Sequence, residues 1–299
     1  MQSIREAGVL NCGVAGDMPG FSVVSSASAQ GLEIDFCRGL AAALLGSADH
    51  ARFARVAGIE EFLSRQDVDL VFHALTWSLE REARWNVRFG PVIYYDGAAF
   101  LTRKTASVDH VLKLHDASVC IDADNPSLPV IAQYLTAAKN LRLLALASVR
   151  ESREAFLSGR CPALAGDAST LVAVATGHDP QQFDILQDYV TKEPLAPIVR
   201  ARDDALLMLL RWVVYVTLEA EELGISSQTA TAVITERLQA LPPAGSQIAA
   251  DSAARVIRSI GNYAEIFERN LDRPDFIRQR RGLNRLWRDG GLMYAPPFK

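Results

Sequence analysis

Val9-Leu-Asn-Cys-Gly-Val14 is a short apolar run that ends in a cluster of turn residues, Gly13, Gly16, Pro19 and Gly20. A run of this length closed by glycine and proline reads as a strand feeding a loop. Next comes Gly31-Leu-Glu-Ile-Asp-Phe-Cys-Arg-Gly-Leu-Ala-Ala-Ala-Leu-Leu-Gly46, whose apolar residues fall at helical spacing and whose last glycine suits a C-cap. Ala51–Val56 reads as a second strand, 59–66 as a helix and Val68–Phe72 as a third strand. Strand, helix and strand in alternation predict an α/β fold with a largely parallel sheet.

Outward from this unit the pattern repeats. Strands are expected at 118–121, 141–146, 163–165 and 183–186. Helices are expected at 129–138, 152–158 and 169–176. From Asp203 onward the reading is helical, over 204–224, 229–241, 249–270 and 276–288. One sheet-building unit therefore covers roughly 1–100 and another roughly 105–195. Ligands of open α/β sheets sit at the carboxyl ends of strands, and pockets favour domain interfaces. A cleft between two such units is the expected ligand site.

Composition narrows the class. The chain has 299 residues, 49% hydrophobic and 22% charged, with a formal net charge of -4. That supports a buried core and argues against nucleic acid, which calls for a basic stripe. The basic cluster Arg278, Arg280 and Arg281 is short and reads as a solvated helix face. Leu206–Val216 is the most apolar long run, but Arg211 interrupts it and it falls short of the ~18 residues of a membrane span. Met1-Gln-Ser-Ile-Arg-Glu starts on a polar, helical stretch without the apolar run of a secretory signal, so the signal peptide is read as absent. The chain then either begins at a mature end or belongs to a protein that stays in the cytoplasm. Cys12, Cys37, Cys120 and Cys161 form no CxxC pair and no zinc spacing, so no metal and no cofactor is expected. Their number fits two disulfides or four buried thiols.

Longer stretches are more specific. Phe89-Gly-Pro-Val-Ile-Tyr-Tyr-Asp-Gly97, Thr191-Lys-Glu-Pro-Leu-Ala-Pro-Ile-Val-Arg200, Ala220-Glu-Glu-Leu-Gly-Ile225, Gly261-Asn-Tyr-Ala-Glu-Ile-Phe-Glu-Arg-Asn270 and Arg281-Gly-Leu-Asn-Arg-Leu-Trp-Arg-Asp-Gly-Gly-Leu-Met-Tyr-Ala-Pro-Pro297 resemble the general L-amino-acid binding proteins of ABC uptake systems, solute-binding protein family 3. The resemblance implies a two-lobed α/β class II periplasmic-binding-protein fold with a helical C-terminal extension. Lobe one would be 1–101 plus 198–299 and lobe two 102–197, with crossovers near 99–104 and 194–200. It also implies Cys12 paired with Cys37 and Cys120 paired with Cys161, each pair within one lobe.

The same resemblance implies a site. An α-carboxylate is best met by a guanidinium and an α-ammonium by a carboxylate. In Leu75-Thr-Trp-Ser-Leu-Glu-Arg81, Arg81 would take the α-carboxylate and Thr76 would offer a hydroxyl; the alternatives are a surface arginine like Arg84 and a strand-end backbone bond. In Gly159-Arg-Cys-Pro-Ala-Leu-Ala-Gly-Asp167, Asp167 would take the α-ammonium, or act as a helix N-cap. Phe21, Trp77 and Tyr94 are candidate aromatic clamps, or core.

Two departures stand out. Phe72-His-Ala-Leu75 replaces polar residues. Asp122-Ala-Asp-Asn-Pro-Ser-Leu-Pro129 replaces a Gly/Thr-rich turn, putting Asp122 and Asp124 where a carboxylate would dock and leaving Asn125 and Ser127 to supply hydrogen bonds. A like charge at ~4 Å would cost roughly 1–4 kcal/mol.

The resulting expectation is a monomeric periplasmic binding protein for an amino acid or derivative, partnered with an ABC permease and not an enzyme. The alternatives are a cyclohexadienyl-dehydratase-like enzyme using His73 with Asp122, Asp124 or Asp167, and a cytoplasmic small-molecule-binding relative on the same scaffold.

Overall fold

The run that opens at Val9 becomes the interior strand of a five-stranded sheet. The computed structural model describes residues 1–104, 108–138, 140–175, 178–186, 188–230, 249, 251–273 and 281–297. The chain forms two compact units. The first comprises Met1–Tyr94, Pro194–Leu271 and Leu283–Lys299, and the second Tyr95–Glu193 and Asp272–Gly282.

The first unit opens with α1 (Gln2–Ala7) and β1 (Leu10–Val14). The loop expected after β1 is a small antiparallel meander of β2 (Asp17–Met18), β3 (Ser22–Val24) and β4 (Ala29–Gln30). Then come α2 (Leu32–Leu45), β5 (Ala51–Arg55), α3 (Ile59–Ser64), β6 (Leu70–Val71), α4 (Leu79–Trp85), β7 (Val87–Phe89) and β8 (Tyr94–Asp96), whose last two residues already belong to the second unit. Gly46 ends α2 at φ 89°, in the left-handed region that glycine adopts without strain. Cys12 in β1 bonds to Cys37 in α2, pinning the helix to the sheet.

The second unit is built from β9 (Ala98–Arg103), β10 (Ser118–Asp122), α5 (Leu128–Leu135), β11 (Arg142–Leu146), α6 (Val149–Leu157), β12 (Ala163–Asp167), α7 (Ala168–Leu171) and β13 (Phe183–Ile185). The segment 99–104, read from sequence as a crossover, lies mostly within β9; the chain changes unit earlier, after Tyr94. The sheet order is β11-β10-β12-β9-β13. Ala98 to Thr102 are all buried, because apolar side chains cover both faces of this strand. Ala99, Leu101 and Cys120 pack on one side with Phe156. Ala98, Phe100, Val119 and Ile121 pack on the other with Ile131. That is the two-residue alternation of a strand. Cys120 bonds to Cys161 across this core.

The chain returns through β14 (Glu193–Leu195) to β15 (Ile198–Arg200), α8 (Asp204–Glu222), α9 (Ser252–Ile260) and α10 (Tyr263–Leu271). β15 inserts between β6 and β7, antiparallel to both, completing the order β5-β1-β6-β15-β7. Each five-stranded sheet is therefore mixed, not largely parallel. The helix expected over 249–270 is two helices. Gly261 breaks it at φ 81°, where a Cβ would meet the Glu265 side chain at 2.8 Å. Asn262 and Glu265 then cap the new start reciprocally. The Glu265 N–H donates to Asn262 Oδ1 and the Asn262 N–H to Glu265 Oε2, both at 2.9 Å. The expected helix over 276–288 is, in its described part, two 3-10 turns at Gly282–Asn284 and Trp287–Asp289. Arg278, Arg280 and residues 231–241 of the expected helix lie outside the described residues.

Candidate ligand-binding site

In the first unit the candidate residues sit on the link between β6 and α4. Two backbone bonds fix it to the returning strand. The Trp77 N–H donates to the Pro194 carbonyl at 2.8 Å and the Ala196 N–H to the Leu75 carbonyl at 3.0 Å, which together bridge Thr76 to Leu195. Ser78 caps α4, its hydroxyl accepting from the Arg81 N–H at 3.2 Å. The Arg81 guanidinium turns back and donates from Nη1 to the Thr76 carbonyl at 2.8 Å. Among the described residues it pairs with no carboxylate. Arg84, one position round the helix, is exposed and lies over the Trp85 ring at 4.8 Å.

Arg81 lines a cavity of about 390 Å³ contained in this unit, with Ile59, Leu75 and Trp85 among its walls. That lies within the ~300–1,000 Å³ range of small-molecule sites. Trp77 is 42% exposed; its indole N–H donates to Glu82 and its ring stacks on Phe89 at 6.4 Å. Phe21 is a correction. It is only 1% exposed, edge-on to Tyr94 at 5.1 Å, and Tyr94 stacks on Phe267. Phe21 and Tyr94, two of the three rings offered as clamps, are packed in the core against one another.

Glu33, in the first turn of α2, was missed from sequence. It is buried, and its Oε1 accepts from the Ala74 N–H at 2.5 Å. Its Oε2 is buried without a hydrogen-bond partner among the described residues. Burial raises the Glu33 pKa above the ordinary carboxylate range, against the Ala74 bond and the nearby His73. Ala74 itself sits at φ 44°, unusual for a residue with a Cβ. The signal available was an acid flanked by Leu32 and Ile34 on an otherwise buried helix.

In the second unit Asp167 closes β12 and occupies the N-cap position of α7, yet its side chain makes no capping bond. Its carboxylate is pushed up to about 6, first by burial and then by Glu193. Asp96 is buried close by. It accepts from the Ser169 N–H at 3.2 Å and is pushed up to about 7, chiefly by burial. Thr191 accepts from the Ala98 N–H at 2.8 Å and donates to Glu193 at 3.0 Å. The result is a sunken carboxylate surrounded by further acids, suited to a cation.

The Asp122–Leu128 turn is internally bonded. Asp122 Oδ1 accepts from the Asp124 N–H at 3.3 Å, and Asn125 Oδ1 accepts from the Ser127 N–H at 2.8 Å. Ser127 is buried at the N-cap of α5, and its hydroxyl makes no cap bond. The carboxylate of Asp122 is thus partly committed to its own turn.

Comparison with known proteins now has a geometry to attach to. Residues 10–269 match the bacterial extracellular solute-binding proteins, family 3. The chain belongs to that family. As a family 3 solute-binding protein it is 34% identical to YhdW of Escherichia coli K12, named as an amino-acid ABC transporter-binding protein, with 100% of this chain and 92% of that one covered. It is 31% identical to the general L-amino acid-binding periplasmic protein AapJ of Rhizobium johnstonii, again over 100% of this chain and 92% of the relative. Among solved structures, the periplasmic binding protein from Brucella ovis with glutathione bound aligns with a TM-score of 0.80 at 28% identity, covering 100% of this chain and 98% of that one. The family is one of binding proteins, and the fold is the two-lobed α/β fold of periplasmic binding proteins.

Proposed function

We propose that this family 3 protein binds an L-amino acid or a close derivative in the periplasm, as a monomer, and delivers it to an ABC permease. Arg81 takes the α-carboxylate and Asp167 the α-ammonium. Thr76 and Trp77 complete the first unit's contribution, and Asn125 and Ser127 the second's. The observation that carries the reading is the pair of uncommitted charges. Among the described residues Arg81 lines a ligand-sized cavity with no carboxylate paired to it, and Asp167 sits at a helix N-cap without a capping bond, which supports the ligand roles over a surface arginine and a structural cap.

The relatives support the ligand class, since AapJ is named for general L-amino acids. The glutathione in the Brucella ovis protein supports the wider term, because glutathione carries an α-amino-acid end. The two disulfides fit an oxidising compartment. The family 3 relatives are named as binding proteins, which favours binding over the dehydratase-like alternative.

The test is a thermal-shift screen of ligand-stripped protein against L-amino acids and glutathione. A ligand at 100 times its dissociation constant should add ~2.7 kcal/mol, a rise of several degrees. A rise abolished in Arg81→Ala and in Asp167→Asn supports the reading; no rise with any compound sinks it.

A further inference from the structure

We propose that the cavity beside Arg81 favours ligands whose side chain ends in a positive charge, and that Glu60 sets this preference. The inference rests on the amino-acid-binding reading above, with Arg81 holding the α-carboxylate.

The cavity has room beyond Arg81. Ala57 and Gly58 on its rim carry almost no side chain, while Ile59, Leu75 and Trp85 give apolar walls for a methylene stem. Two carboxylates from the first turn of α3, Glu60 and Glu61, also line it. Glu61 is committed. It accepts from the Ala57 N–H at 2.8 Å and from Arg65 at 3.2 Å, and these bonds hold it below the ordinary carboxylate range. Arg65 is in turn held by Asp67 at 2.6 Å. Glu60 is exposed and lines the same cavity, and among the described residues no cation is paired with it.

An acid in a first helical turn already stabilises the helix, which accounts for two glutamates in a row. It does not cancel their field on a ligand. Of the cations nearby, Arg81 is used by the α-carboxylate, Arg65 by Glu61 and Asp67, and Arg84 lies over Trp85. A lysine- or arginine-type side chain entering between the apolar walls would meet Glu60 as a counter-ion. A glutamate-type side chain would meet it as a like charge.

The test is calorimetric titration of L-lysine, L-arginine, L-glutamine and L-glutamate into the intact protein and its Glu60→Gln, Glu60→Lys and Arg81→Ala variants. The expected result is tighter binding of lysine or arginine than of glutamate. Glu60→Gln should narrow that ratio by about fivefold and Glu60→Lys by more than about tenfold, as expected of a partly exposed charge pair. Glutamine affinity should be unchanged, which also reports an intact fold. A lysine-to-glutamate ratio that is the same in all Glu60 variants, or a wild-type preference for glutamate, overturns the inference. If Arg81→Ala abolishes glutamine binding while the Glu60 variants leave the ratio untouched, the binding reading stands and only the inference falls. If none of the four binds, both fall.

Discussion

The two units share one strand plan and hold their charges in opposite ways. Each sheet has three parallel strands, then an antiparallel strand from a distant segment, then a fifth strand antiparallel to that one. In the first unit the charged candidate is an arginine tethered by a backbone carbonyl. In the second it is a buried carboxylate whose ionisation is opposed by burial and by Glu193. The same scaffold thus carries a tethered cation in one unit and a carboxylate raised by burial in the other.

The largest expected effect tests whether the units are stabilised separately. Each disulfide closes a loop inside its own unit, with sequence separations of 25 and 41. On the chain-entropy account they contribute about 3.5 and about 4 kcal/mol. Replacing Cys12 and Cys37 by alanine should destabilise by about that smaller amount, and replacing Cys120 and Cys161 by about 0.4 kcal/mol more. Denaturant melts followed by hydrogen exchange should show the loss of protection concentrated in the unit that lost its bond. Equal loss in both units would break the picture of independent cores.

Next in size is the loss of a ligand charge. Arg81→Ala should weaken amino-acid binding by about 30-fold or more, from roughly 2 kcal/mol upward. Arg81→Lys should recover only part, since an ammonium cannot reproduce the guanidinium fork. Calorimetry on both variants checks this. Full rescue by lysine would mean that Arg81 acts as a point charge.

Titration sharpens the contrast further. Asp167 and Asp96 have folded pKa values near 6 and near 7, above their usual 3.8. The folded state therefore binds more protons than the unfolded one between about 4 and 7. Stability from these two groups is present at low pH and is lost as pH rises through that window. Ligand binding runs the other way, because an α-ammonium needs Asp167 ionised. Affinity should be flat above about pH 7 and fall by up to about tenfold per unit below about pH 6. Dissociation constants and melting midpoints measured from pH 4.5 to 8 test both trends. Affinity that does not weaken on acidification would remove Asp167 from the ammonium site.

The first unit's opening was legible because its signals are local: Val9–Val14, the helical spacing up to Gly46, and Ala51 onward. What escaped was built from distant partners. Ile198 pairs with Val71 and Phe89, and no window of sequence shows that β15 lies between β6 and β7. The break at Gly261 was written in Asn262 and Glu265, but apolar periodicity runs across it and hid the cap. Arg81 and Asp167 could be named from their motifs. The cavity could not, because its walls come from 57–61, 75, 81 and 85. Glu33 was hidden by its apolar neighbours, and Phe21 was misassigned because a ring beside a glycine turn looks the same in sequence whether it faces ligand or core.

The smallest effect bears on the loop that leads into the helix carrying Arg81. Ala74 is held at φ 44°, its N–H bonded to Glu33, whereas no residue of the Asp122–Leu128 turn in the second unit has a positive φ. The left-handed region costs an L-residue roughly 1–2 kcal/mol. Glycine would relieve that, at an entropic cost of roughly 0.5–1 kcal/mol in the unfolded chain. Ala74→Gly should therefore be stabilising by about 0.5 kcal/mol, a rise of about 1–2 °C in melting temperature. Affinity should fall about two- to threefold, because a glycine loop is less preorganised for the ligand. A melt that drops by several degrees would mean that the Ala74 methyl is packed rather than strained. An affinity that is unchanged would mean that the two backbone bonds to Pro194 and Ala196, and not the Glu33–Ala74 contact, hold this segment of the first unit in shape.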